Sequence, residues 1–168
     1  MKILTLLFLA LFLVSCGNSS GEFSSLNENE LSKKILELQN NNETDKIIDG
    51  MNVFIDKYPN SKKTPDYLRT LATIYAGSKK NFNQSITLYK KIINKYPKSE
   101  VTPDAYFALG FIYNNELQDY NNAKLYYTEF INKFPNHEAI ESAKFELQFL
   151  GKSEDEILKA LQNNNHNN

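Results

Sequence analysis

From Leu31 onward apolar residues return at helical spacing, with polar residues filling the intervals. Leu68, Leu71, Ala72 and Tyr75 fall at i, i+3, i+4 and i+7, and Ser85, Leu88, Tyr89 and Ile92 repeat that spacing. Both runs predict amphipathic helices. Upstream, Leu31, Ile35 and Leu38 precede a second run of Ile47, Met51, Phe54 and Ile55. Downstream, Ile140, Ala143, Leu147 and Leu150 end at Gly151, and Ser153-Glu154-Asp155-Glu156 opens a capped helix carrying Ile157, Leu158 and Leu161.

The helical pattern repeats. Tyr58-Pro59, Tyr96-Pro97 and Phe134-Pro135 stand 38 residues apart in both steps, and a constant period marks a repeat architecture. Laid over each other without a gap, Pro65 to Pro97 and Pro103 to Pro135 match Asp66 with Asp104, Leu71 with Leu109, Tyr75 with Tyr113 and Tyr89 with Tyr127. Each first helix opens on Thr-Pro-Asp, at Thr64 and Thr102. There threonine suits an N-cap, proline the first turn and the acid the positive end of the helix dipole. Turn residues at Asn81-Phe82-Asn83 and Asp119-Tyr120-Asn121 join the two helices. The aromatic-proline step ends the second, because proline disfavours helix for the residue before it. The unit is therefore a helical hairpin, and the expected fold is all-α, with about four hairpins across residues 27–162 and the polar-rich last pair as an end cap.

The third unit resembles the tetratricopeptide repeat: Tyr106, Leu109-Gly110 and Tyr113 take the first-helix positions, and Ala123, Tyr127 and Pro135 follow in the second, with one extra residue in the turn. The sequence departs from that pattern in its period, longer than the usual ~34, and in Ala72, Ser85 and Phe130, which imply a somewhat opened hairpin. The resemblance implies a short right-handed α-solenoid whose concave face, lined by first helices, holds a segment of a protein partner. Carried over, the groove positions are Arg69, Thr73 and Ala76 in the second unit and Phe107, Phe111 and Asn114 in the third. Phe107 and Phe111 either line the groove or pack on the neighbouring hairpin, and Arg69 is either an anchor or a solvated charge. The family's cytosolic carboxylate clamp uses Lys and Asn on these faces, where this chain has Arg69 and Thr73. Tyr58-Pro59-Asn60-Ser61 with Pro65-Asp66, and Tyr96-Pro97-Lys98-Ser99 with Pro103-Asp104, are similar to segments of two envelope families: the outer-membrane assembly lipoprotein BamD and the Tol-Pal-associated protein CpoB, or YbgF.

The first residues follow another logic. Lys2 precedes an apolar run from Ile3 to Leu13 that meets small polar residues at Ser15 and Gly17, which are signal-peptide proportions, and it is too short for a spanning helix. Leu13-Val14-Ser15-Cys16 resembles the bacterial lipobox, which implies cleavage after residue 15 and lipidation of Cys16, with palmitate among its acyl chains; a plain secretory signal is the alternative. Several acyl chains would hold the chain on a membrane, since each buried methylene contributes about 0.8 kcal/mol. Gly17 rather than Asp after the cysteine favours the outer membrane, facing the periplasm. Residues 16–26, rich in Gly, Ser and Asn, read as a flexible tether, and residues 163–168 as a disordered Asn-rich tail.

Composition narrows function further. A net charge of -1 with scattered lysine pairs provides no concentrated field for phosphates, so nucleic acid is excluded as a partner. The single cysteine leaves an exported fold resting on packing alone. His137 lies in an inter-hairpin loop and His166 in the tail; no catalytic constellation, metal site or cofactor motif is read. The expected role is that of an envelope scaffold binding proteins through its concave face, in outer-membrane protein assembly or Tol-Pal-linked division. A small-ligand or glycan-binding lipoprotein is the other class.

Overall fold

The computed structural model describes residues 19–165. The expected leader, Cys16 and the last three residues of the tail lie outside them. Among the described residues there are nine α-helices and no strand. They are α1 (Ser19–Ser24), α2 (Glu28–Asn40), α3 (Thr44–Lys57), α4 (Thr64–Gly77), α5 (Phe82–Lys95), α6 (Thr102–Phe111), α7 (Tyr120–Lys133), α8 (Ile140–Gln148) and α9 (Glu154–Asn165). A π-helical turn, Ile112–Glu116, continues α6. The chain divides into two compact units within α3, between Val53 and Phe54.

In the first unit Asn27 caps α2 through a reciprocal box: its side chain accepts from the Glu30 N–H while Glu30 accepts from the Asn27 N–H at 2.9 Å. Leu31, Ile35 and Leu38 then share a buried face with Ile47 and Met51. Gly50 lets α2 and α3 approach closely, since a Cβ there would lie 3.1 Å from Ile35 Cγ1. The stretch read as a tether reaches into the described residues. Residues 19–24 form α1, Phe23 is fully buried, and Lys34 pairs with Glu22 at 3.3 Å. One large apolar side chain among small polar ones is enough to dock the segment.

In the second unit consecutive helices pack on one another from α4 to α8, as a short α-solenoid of helical hairpins requires. The two predicted faces are the observed core: Leu68, Leu71 and Ala72 on α4, and Leu88, Tyr89 and Ile92 on α5, are buried. The period extends to the backbone. Helices α3, α5 and α7 begin at Thr44, Phe82 and Tyr120 and end at Lys57, Lys95 and Lys133, each just before the aromatic-proline step. Asn42, Lys80 and Gln118, again 38 apart, all take left-handed φ values of 57°, 50° and 52° where each hairpin turns.

Two start signals act differently from expectation. Thr64 and Thr102 are not caps: each is already helical, and its buried hydroxyl donates 2.7 Å to the carbonyl of Tyr58 or Tyr96, locking the preceding turn. The caps fall instead on the second helices, where Asn81 accepts from the Gln84 N–H and Asp119 from the Asn122 N–H. At the far end Ser153 and Glu156 form the expected box, and α9 continues to Asn165, into the stretch expected to be disordered.

Candidate partner-binding cleft

First helices α4 and α6 form the walls of a cleft of about 390 Å³, and Tyr89 of α5 its floor. Thr73 and Ala76 contribute from one wall, Phe107, Ala108 and Phe111 from the other, with Lys80 and Glu116 also lining it. A second depression of about 260 Å³ shares Thr73, Tyr89, Phe107 and Ala108 and adds Arg69, Asp104 and His137. An apolar trough thus runs into a polar end.

The side chains show how the walls are held. Phe107 meets Tyr127 and Phe130 of its own hairpin edge-on at 5.7 and 5.8 Å, so one side of its ring is core while it also lines the cleft. Phe111 is 44% exposed. The Thr73 hydroxyl lies 3.2 Å from the Tyr89 hydroxyl; burial pushes the Tyr89 phenol up from its ordinary value, and the Thr73 hydrogen bond partly opposes it. Arg69 is neither lone nor freely solvated: its guanidinium stands 3.3 Å from Asp66 and 3.6 Å from Asp104. The π-helical turn carries Ile112 and Glu116 into the cleft. The turn is braced through its own Tyr113, which stacks on Tyr126 of α7 at 5.6 Å with planes 4° apart and accepts from Lys90 Nζ of α5 at 3.1 Å. That hydrogen bond raises the Lys90 pKa.

Of the six groove positions read from the sequence, Thr73, Ala76, Phe107 and Phe111 line the main cleft, and Arg69 joins Thr73 and Phe107 at the polar end. Asn114 does not join them. Its amide donates to Glu146 Oε2 of α8 at 3.2 Å, because in the third hairpin the face equivalent to Ala76 meets the following helix. Tyr89, Ala108 and His137 were missed as cleft residues. Among the described residues no three His, Cys, Asp or Glu side chains gather to hold a metal, and no helix is long and apolar enough to cross a membrane.

Stacked helical hairpins with an open cleft between first helices define a repeat scaffold. The tetratricopeptide repeat family model matches residues 67–99 and 104–137, which fall on the α4–α5 and α6–α7 hairpins. Repeats of this kind indicate a protein–protein interaction scaffold. No curated protein matches the chain.

Proposed function

We propose that this chain is a lipid-anchored scaffold of the bacterial cell envelope that recruits a protein partner through the α4–α6 cleft. The observation that carries the cleft is Phe111, a large aromatic left 44% exposed beside an apolar trough. Aromatics in such positions are where interfaces concentrate their binding energy. The anchor rests on Leu13-Val14-Ser15-Cys16, and Gly17 after it favours the outer membrane with the domain facing the periplasm. The Tyr-Pro-x-Ser and Pro-Asp segments support a role among outer-membrane assembly lipoproteins, with a Tol-Pal-associated coordinator as the second reading.

One experiment separates anchor from cleft: intact cells carrying the native chain, Cys16→Ala or Phe111→Ser are crosslinked, fractionated and affinity-purified. Cys16→Ala should abolish palmitate labelling and release the domain to the soluble fraction, and membrane retention would contradict the anchor. Phe111→Ser should stay on the membrane, unfold within about 1 kcal/mol of the native chain, and capture its partner at least about 30-fold less well, the loss of about 2 kcal/mol expected of an interface hot spot. Unchanged capture would sink the cleft. A complex with no protein at stoichiometric level would point to a small ligand or glycan.

A further inference from the structure

We propose that His137 is a proton-operated latch on the turn between α7 and α8, at the polar end of the cleft. Its effect on partner binding rests on the cleft being the docking site; the latch itself does not.

The period shows what His137 replaces. Ser61, Ser99 and His137 occupy equivalent positions, 38 residues apart, in successive inter-hairpin turns. Ser61 Oγ accepts from the Lys63 N–H two residues on, at 3.2 Å. His137 does the same work with a ring nitrogen: Nδ1 accepts from the Ala139 N–H at 3.2 Å. A hydroxyl accepts at every physiological pH, whereas imidazole gains a proton between pH 5 and 8 and then has only donors. The third turn also lacks the second lock of the others, since the threonine that bonds the Tyr58 or Tyr96 carbonyl is replaced by Ile140. The titratable bond is therefore the side-chain bond that remains at this place.

The surroundings decide the direction. The Phe130 ring of α7 stands edge-on at 5.3 Å. Asp104 of α6 places Oδ1 3.9 Å from Nε2, and its other oxygen faces Arg69 of α4 at 3.6 Å. Tyr89 of α5 lines the same depression, and Glu138, next in the chain, is exposed. While Nδ1 accepts, Nε2 carries the ring's proton, so Asp104 faces an N–H in both charge states and does not depend on a second proton. Its added attraction for imidazolium is that of an exposed pair, and Arg69 opposes it. A proton on Nδ1, by contrast, sets one N–H against another. The ring must turn away, and the start of α8 is released. Acid thus opens the turn where His137 and Ala139 line the cleft.

The test is amide exchange at Ala139, followed by NMR on the full cell-processed chain at pH 5.5 and 7.5 and corrected for the intrinsic pH dependence of exchange. Protection in the native chain should fall about 2- to 10-fold at the lower pH, the equivalent of one net hydrogen bond. His137→Ser, which restores the residue of the other turns, should keep its protection at both. Equal protection of the native chain at the two pH values, or the same fall in His137→Ser, would overturn the latch. This readout needs no partner, so failure of Phe111→Ser to weaken capture would refute the cleft and leave the latch to be judged on its own result.

Discussion

Phe130→Ala should cost about 3–5 kcal/mol, among the largest single losses expected for the described residues. Phe130 is fully buried on α7 and meets Phe107, Phe134 and His137 at ring distances of 5.8, 5.9 and 5.3 Å. It therefore joins the cleft wall, the end of α7 and the turn that follows. Cutting it to a methyl removes a full aromatic burial and leaves a cavity whose lining comes from three elements, so collapse onto it is hindered. A domain of this size has about 5–15 kcal/mol in total. Urea unfolding of the variant should show a much lower midpoint, and a change under about 1 kcal/mol would mean that the third hairpin is not packed as described.

The second large effect is Gly110→Ala. A Cβ at this buried position would lie 2.7 Å from two atoms of the Tyr127 ring, which is fully buried and has no free end to swing away. Burial, with the Glu146 carboxylate beside it, pushes the Tyr127 hydroxyl well up, so the group stays protonated. Overpacking of this kind costs about 1–3 kcal/mol, against a gain of about 1 kcal/mol from replacing glycine inside a helix. The variant should unfold more easily in spite of its better helix propensity. The control is Ala72, one period earlier, whose methyl is already buried in the second hairpin. There Ala72→Gly should lose about 1 kcal/mol and relieve no clash. A stabilised Gly110→Ala, read by the same unfolding, would show that α6 and α7 do not approach as closely as described.

The hairpins were legible because their determinants are local. Each aromatic-proline step sets a helix end, each polar turn a reversal, and the apolar spacing the buried face. Part of the longer unit lies in widened helix ends, where the Lys79 N–H reaches the Ile74 carbonyl and the Leu117 N–H the Ile112 carbonyl, one period apart. What failed was tertiary or depended on donor direction. Thr64 and Thr102 looked like acceptors for helix N–H groups and are donors to a preceding carbonyl. Asn114 sits at a groove position by register, yet α8 covers that face through Glu146. His137 was weighed as a lone loop histidine, and only alignment with Ser61 and Ser99 shows the backbone bond it makes. Phe23 was hidden by the composition around it.

The cleft can be tested by position without naming the partner. A photo-crosslinking side chain is placed in the whole chain at Ala76, which lines the cleft, or at Thr87, an exposed position on α5 outside it. Irradiation of intact cells should give a discrete protein adduct from position 76 and little or none from position 87. Equal adducts from both positions, or an adduct from 87 alone, would contradict a partner held between α4 and α6.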